Sequence, residues 1–151
     1  MKKVLFGSVC AAVVAFGMVA CGDGQGMKRG DGSDTVSRRY VGTLPAADGP
    51  GIVYDLTLFN LAEDSLSGEF ALSMTYLEAQ NGKNATFDSE GEWVAVQGIA
   101  GDRSAVYYQL IESGVRPDTT NFLYLGDSVV LLGNGLQRAP SNLNYTLILE
   151  D

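Results

Sequence analysis

The sequence predicts an all-β domain of about eight or nine antiparallel strands, built as a small closed barrel or a sandwich. Two segments alternate between apolar and polar side chains with the period of two that is typical of half-buried strands. Turn signals rich in glycine, asparagine and aspartate separate the remaining short apolar runs. No stretch offers an amphipathic helix of useful length, since the best candidate, 61–66, would form at most a turn. Closure into a barrel is attractive because it removes exposed sheet edges.

The strands are predicted in chain order from these alternations and from the apolar runs between turns. The two clearest strands cover 52–59 and 69–76. Further strands are predicted at Arg39–Leu44, Glu92–Gln97, Ser104–Glu112, Asn121–Gly126, Ser128–Leu132 and Asn144–Glu150, with a short one around Ala85–Asp88. Turns are predicted at 48–51, 81–82, 113–114 and 133–135, and Gly126-Asp127 indicates a tight hairpin.

The first 21 residues have the order of a bacterial lipoprotein signal. Two lysines precede an apolar run of 17 residues, 4–20, which ends in the small residue Ala20 directly before Cys21. This run has only the bare minimum length for a membrane span, and its glycines weaken it further. We therefore predict a signal peptide at 1–20, cleavage after Ala20 and lipidation of Cys21. Gly22, the next residue, favours onward transport to the outer membrane.

Cleavage at this point determines the cysteine chemistry of the mature chain. Cys10 leaves with the signal peptide, so Cys21 is the single remaining cysteine and no intramolecular disulfide can form. A processed lipoprotein carries several acyl chains, which makes membrane anchoring stable, whereas one chain holds a protein only marginally. We expect the membrane to be a partner through this N-terminal lipid and not through the folded domain.

Charge separates the rest of the chain into a tether and a folded domain. Residues 21–39 are Gly-rich and polar without apolar periodicity, so we predict a flexible tether there. The domain, 40–151, has 4 basic and 15 acidic side chains, a net charge of −11. Such an acidic domain is repelled by anionic lipid and by nucleic acid. We therefore expect no nucleic-acid partner.

Most catalytic and metal chemistry is excluded by composition. The chain has no histidine, which removes the usual general base and the commonest transition-metal ligand. Soft ligands in the mature chain reduce to Met27, in the tether, and Met74, whose alternation places it in the core. We predict a non-enzymatic protein with no catalytic residue, no metal site and no cofactor.

Two groups of residues allow a functional and a structural interpretation. Asp88, Glu90 and Glu92 are spaced to share one face of an extended segment, as in acid catalysis or a hard-cation site. A solvated face is the interpretation we favour, because we expect Gly91 to interrupt the strand. Four aromatic residues on predicted strands form either a ligand-stacking wall or part of the core, and we favour the core. They are Trp93, Tyr107, Tyr108 and Tyr124.

The segment 40–52 reads YVGTLPAADGPGI. It resembles the opening motif of the N-terminal domain of the NlpE family, envelope lipoproteins associated with copper resistance and outer-membrane stress signalling. That motif reads Gly-x-Leu-Pro-Cys-Ala-Asp-Cys-x-Gly-Ile. The residues that match it in order are Gly42, Leu44, Pro45, Ala47, Asp48, Gly51 and Ile52. Similar matches follow at 91–93, 126–132 and 144–147. The resemblance implies a small, lipocalin-like antiparallel barrel of about eight strands.

Two departures limit what the resemblance implies. The two motif cysteines of the family fall on Ala46 and Gly49, which offer no side-chain ligand to a soft metal such as Cu(I). We therefore do not expect copper binding at this loop. Some members also have a second, oligonucleotide-binding-type barrel at the C-terminus, which has no counterpart in this sequence. Signalling through that second domain is accordingly not expected.

Two functional classes stay open. In the first, a tethered outer-membrane lipoprotein supports envelope homeostasis or the stress response by contacting another envelope protein, with Leu44, Pro45 and Asp48 in the contact loop. In the second, a lipocalin-like barrel carries a small apolar ligand. An eight-stranded barrel has an interior that is either filled by side chains or just large enough for one small ligand. Large residues on the alternating strands indicate a filled interior. They are Tyr54, Leu58, Phe70, Tyr76 and Tyr108.

Replacing the predicted acyl acceptor tests the anchor. The Cys21→Ser variant should remain an unlipidated precursor, because serine offers no thiol for acylation. Mass spectrometry of the purified chain should find an unmodified N-terminal region in the variant and an acylated Cys21 in the parent. Retention of the variant on membranes after a salt wash would contradict the prediction.

Overall fold

The structure, a computed structural model, describes residues 34–151 and confirms the predicted antiparallel barrel. Each strand pairs with the next, and the last pairs with the first, so the sheet closes. The eight strands are β1 (Thr35–Leu44), β2 (Ile52–Leu61), β3 (Ser67–Gln80), β4 (Lys83–Ile99), β5 (Asp102–Glu112), β6 (Thr119–Tyr124), β7 (Ser128–Leu131) and β8 (Thr146–Glu150). The predicted signal peptide, Cys21, Met27 and the tether up to residue 33 lie outside the described residues. Within 34–151, no helix has the length and apolar character needed to cross a bilayer.

Most strands differ from their predicted bounds by a few residues, and two of the differences change the interpretation. β1 begins at Thr35, opposite Leu61 of β2, so the last five residues of the predicted tether belong to the sheet. The two short strands predicted near 85–88 and 92–97 are one continuous strand of 17 residues, β4. Gly91 does not interrupt it, because this glycine pairs with Phe70 on β3 and with Glu112 on β5.

The interior of the barrel is filled by large apolar side chains from alternate positions of the strands. Trp93, Tyr40 and Phe122 are the largest of the fully buried ones. The interior cluster consists of Tyr40, Leu44, Leu56, Leu58, Phe70, Leu72, Trp93, Tyr108, Leu110, Phe122, Val129 and Leu147. Met74, predicted as a core residue, packs against this cluster and is partly buried. The two predicted alternating strands therefore present the expected apolar face to the core.

A smaller apolar cluster lies on the outside of the barrel. Tyr107, Leu123 and Leu132 are buried there, with Leu136 packed against them. The connection after β7 folds back to cover them: Leu132 pairs with Arg138 in an isolated β-bridge, and the Ala100 N–H donates to the Leu136 carbonyl at 3.0 Å. This connection therefore shields the apolar side chains on the outer surface of β5 and β6 from solvent.

The antiparallel order gives the barrel two distinct ends. At the upper end lie the connections 45–51, 81–82, 113–118 and 132–145. At the lower end lie the start of β1, the connections 62–66, 100–101 and 125–127, and the end of β8. The predicted contact loop is therefore at the opposite end from the point where the chain enters β1.

Two glycines allow neighbouring strands to approach closely enough for a small barrel. A Cβ atom at Gly68 would collide with the Phe59 carbonyl, and one at Gly91 would collide with the Ile111 carbonyl. Both obstacles are backbone atoms, which cannot move aside as a flexible side chain can. Glycine is therefore required at these positions for steric reasons.

Adding one methyl group at Gly91 should weaken the barrel. We expect Gly91→Ala to lower the free energy of unfolding by about 1–3 kcal/mol, because the strands must separate to admit the Cβ atom. The measurement is denaturant-induced unfolding. Ser89→Ala, on the same strand and the same face, is the matched control. The Ser89 hydroxyl is buried without a hydrogen-bond partner, so its removal should change the free energy by less than about 0.5 kcal/mol. Equal effects of the two substitutions would contradict the steric role of Gly91.

Candidate functional site

The predicted contact loop is only partly available for contact. Leu44 is 2% exposed and belongs to the interior cluster, so the prediction that it contributes to a contact surface is wrong. The alternation of β1 places it on the same inward face as Tyr40. Pro45 is half-buried and Asp48 is exposed. The end of the loop is held in place, because the Leu77 N–H donates to the Gly51 carbonyl at 3.0 Å.

The acidic residues singled out in the sequence lie together on the outer face of β4. Asp88, Glu90 and Glu92 occupy alternate positions of this strand and are all exposed. Asp88 is also in line with Asp55, since both pair with Ser73 on the strand between them. In the part of the chain that the structure describes, no group of three or more histidine, cysteine, aspartate or glutamate side chains is arranged to hold a metal ion. The three carboxylates of β4 are exposed to solvent on this face.

A surface groove of about 660 Å³ runs along this face. Small side chains line its centre, Thr57, Ala71 and Ser73 among them, and Asp88, Glu90 and Glu112 also line it. Within residues 34–151, no basic side chain forms an ion pair with any of these three carboxylates. The groove therefore carries uncompensated negative charge.

Among the described residues, the basic side chain that lines the groove, Arg39, is already paired with other carboxylates. Arg39 donates two hydrogen bonds to Asp55, at 2.9 and 2.7 Å, and one to Glu150 at 2.6 Å. These bonds raise the pKa of Arg39, with the Asp55 hydrogen bond as the main cause. Arg39 thus ties together β1, β2 and β8, and it does not neutralise the carboxylates of β4.

The four aromatic residues proposed as a wall or a core pack as a core. Trp93, Tyr108 and Tyr124 point inward, with ring centroids 5.0 Å apart in each neighbouring pair. Tyr107 points outward into the second apolar cluster. The functional interpretation of these residues as one stacking wall is therefore wrong, since adjacent positions of a strand face opposite sides of the sheet.

A different set of aromatic residues lies near the upper end of the barrel. The rings of Tyr76 and Phe87 meet edge to face with centroids 5.5 Å apart, and Phe87 remains 53% exposed. Tyr54 packs edge to face on Phe122 with centroids 6.4 Å apart. Burial, followed by the proximity of Tyr76, raises the pKa of Tyr54. The upper end therefore combines apolar side chains that are accessible with the acidic groove on the outer face.

The lower end is closed by a polar cluster that the sequence interpretation missed. Arg38, assigned to the tether, points into the barrel and donates to the Tyr108 hydroxyl at 3.0 Å and to the Asn60 side-chain oxygen at 3.4 Å. Its guanidinium lies 5.5 Å from the ring centroids of Trp93 and Tyr108. We call Arg38, Asn60, Trp93 and Tyr108 the lower plug. The alternation of β1 continues from Tyr40 back to Arg38, and this period of two in the sequence indicates that Arg38 faces inward.

The lower plug stabilises structure and offers no reactive group. Asn60 donates to the Leu61 and Asp64 carbonyls, both at 2.9 Å, and so holds the connection 62–66. Burial raises the pKa of Tyr108 to about 12, and the Arg38 charge offsets only part of the increase. Tyr108 is therefore a neutral hydroxyl near neutral pH. The cluster contains no nucleophile with an adjacent base.

Comparison with known proteins identifies one family. The family model described as the NlpE N-terminal domain matches residues 40–141, which include the upper-end loop, the acidic face of β4 and most of the barrel. The search of curated proteins and the search of solved structures gave no match.

Two adjacent arginines allow a matched test of the lower plug. Arg38→Ala should lower the free energy of unfolding by about 2 kcal/mol, because Tyr108 and Asn60 lose a charged donor and two aromatic rings lose a cation. Arg39→Ala should have a much smaller effect, since exposed ion pairs contribute little. Denaturant unfolding of both variants measures the difference. The role assigned to Arg38 fails if the two variants are equally stable.

Proposed function

The chain belongs to the NlpE N-terminal domain family, and from this we propose a lipid-anchored outer-membrane lipoprotein of the bacterial envelope. In this proposal the domain acts in envelope homeostasis or the stress response by contacting another envelope protein, and it carries out no catalysis. The family match supports an NlpE-like envelope protein. The lipoprotein signal that ends at Cys21 supports the anchor.

One observation carries the proposal of a contact function. The barrel interior is occupied by its own side chains, with Trp93, Tyr40 and Phe122 fully buried, while the upper end presents accessible apolar and acidic groups. A protein whose interior is filled is suited to recognition at its surface. The same packing argues against the alternative of a carrier that holds a small apolar ligand inside the barrel.

The loop 45–51 is the part of the upper end that we propose for this contact. Its two prolines restrict the backbone, and Asp48 is exposed between them. Because the chain enters the barrel at the lower end, the loop faces away from that entry point.

Copper binding at this loop is not part of the proposal. Ala46 and Gly49 occupy the positions of the family's two motif cysteines and offer no ligand. Gly49 also has a φ of 119°, which residues with a side chain rarely adopt. At the position of the family's second motif cysteine, the backbone of this loop therefore has a conformation that favours glycine.

Site-specific crosslinking in growing cells tests the contact. A photoreactive amino acid at Asp48 of the full chain should give a discrete adduct with one envelope protein. The same group at Leu125, which is 49% exposed at the lower end, is the control and should not give that adduct. Introducing Cys21→Ser should abolish the adduct, since the unanchored chain is no longer held at the membrane. Absence of an adduct at Asp48, or the same adduct from both positions, would overturn the proposed contact.

Copper titration tests the departure from the family motif. The mature chain should form no stoichiometric Cu(I) complex when it competes with a chromophoric Cu(I) chelator, because the loop has neither a thiolate nor an imidazole. The chelator alone sets the baseline. Withdrawal of one equivalent of Cu(I) from the chelator would show that other residues provide the site.

A further inference from the structure

The upper half of β4 extends beyond its neighbour on one side. Pairing between β4 and β5 begins at Gly91 opposite Glu112, and one further hydrogen bond joins the Ser113 N–H to the Glu90 carbonyl at 2.9 Å. Residues 85–90 still pair with β3 through an unbroken register. In the described chain, this segment therefore has a partner strand on one side only. We call residues 85–90 the open edge.

The backbone groups that face away from β3 follow from the antiparallel pattern. Hydrogen-bonded and non-hydrogen-bonded pairs alternate along an antiparallel ladder, so successive residues direct their N–H and C=O groups to opposite sides. Glu90 directs its carbonyl toward β5, and therefore Thr86 and Asp88 direct both of their groups to the same side. Both residues are exposed. The open edge thus offers two donors and two acceptors in the spacing of a β-ladder.

The side chains beside the open edge differ on the two faces of the sheet. On the inner face, Phe87 is 53% exposed and packs against Tyr76. On the outer face, Asp88 and Glu90 line the acidic groove. A strand added to this edge would meet an apolar surface and an acidic surface at alternate positions.

We propose that the open edge binds an extended segment of a partner protein, in which basic and apolar side chains alternate. The added strand pairs with Thr86 and Asp88 through its backbone, its basic side chains face the groove, and its apolar side chains contact Phe87. Backbone pairing supplies affinity in this mode of recognition, and alternate side chains supply specificity. The inference rests on the proposed contact function and specifies the chemistry of the partner.

A second copy of this chain fits the open edge poorly. Antiparallel pairing of two such edges brings Asp88 and Glu90 of one copy close to the same residues of the other. Like charges on neighbouring strands destabilise a sheet, and the net charge of −11 over 40–151 adds to the repulsion. The edge contains no proline, however, so a basic partner meets no backbone obstacle. Charge therefore selects a basic partner over self-association.

The probe for this inference is a capped nine-residue peptide in which lysine or arginine alternates with valine. It is titrated into the full mature chain purified in detergent. Binding should be saturable and should slow hydrogen exchange at the Thr86 and Asp88 amides. Two control peptides accompany it: one with the same composition in blocks, and one N-methylated on the amides that would face the edge. Both keep the charge of the probe but cannot form the alternating ladder.

Two variants of the protein separate backbone pairing from charge. Asp88→Pro should weaken probe binding at least about tenfold, since it removes a free donor and obstructs the ladder. The Asp88 N–H does not bond to β3, so proline is compatible with this edge position. Asp88→Asn removes one negative charge and leaves the backbone donor and acceptor in place. It should weaken probe binding by a few-fold, and this effect should be smaller at high salt, which screens exposed charges. Glu63→Gln, an exposed lower-end change, should leave binding unaltered.

Several results would overturn the open-edge inference. They are the absence of binding, equal binding of the N-methylated or block peptide, protection of amides elsewhere instead of at 86–88, and binding that Asp88→Pro leaves unchanged. The last three would indicate electrostatic attraction without strand addition. A cellular adduct from Asp48 with no probe binding at the edge would reject this inference and leave the proposed contact intact. Probe binding at the edge without any cellular adduct would reject the proposed contact instead.

Discussion

Closure of the sheet between β1 and β8 is the constraint on which the rest of the structure depends. Three consecutive pairs from Arg39–Glu150 to Val41–Ile148 join the first strand to the last, and the Arg39 side chain bridges Asp55 and Glu150 across the same junction. Closure forces alternate side chains of all eight strands into one interior. That interior is small, and it is filled. It also requires close approach of neighbouring strands, which explains the glycines at 68 and 91.

The two ends of the closed barrel have different physical properties. At the lower end, Arg38 satisfies two neutral oxygen atoms and lies near two aromatic rings, so a charged group seals the barrel without an acidic partner. At the upper end, β4 extends beyond the last residue of β5 that pairs with it. The backbone and side-chain groups of this part of β4 are therefore accessible. Recognition is therefore expected at the upper end, where strand pairing is incomplete.

The family match indicates an NlpE-like envelope protein, and the residues of loop 45–51 favour a protein-contact function over copper binding. The NlpE N-terminal domain match covers most of the barrel and the loop after β1. At this loop the chain keeps Pro45 and Asp48 of the motif that it resembles, and it carries Ala46 and Gly49 at the positions of the two motif cysteines. The chain therefore has the barrel and the loop but lacks the thiolates that select a soft metal. Protein contact needs an exposed loop on a stable barrel and does not need those thiolates.

Much of the fold could be predicted from local pattern, because the period of two in β2 and β3 reports directly which side chains are buried. Turn residues and strand count likewise predicted eight or nine antiparallel strands in a small barrel or a sandwich, and the family resemblance favoured the barrel. Local pattern failed for β4, where Gly91 was expected to break a strand. Glycine is unfavourable in an isolated strand. In the barrel, however, the Ile111 carbonyl occupies the space that a side chain at position 91 would need, so glycine is required there.

The sequence by itself determined the strand alternation, the acidity of the domain, the absence of histidine and the family motif with its replaced cysteines. Only the tertiary structure decided that Arg38 closes the barrel, that Leu44 is buried and that residues 85–90 have one partner strand within the described chain. These three properties depend on contacts between residues far apart in the chain. They are set by strand register and relative strand length, which no single segment encodes.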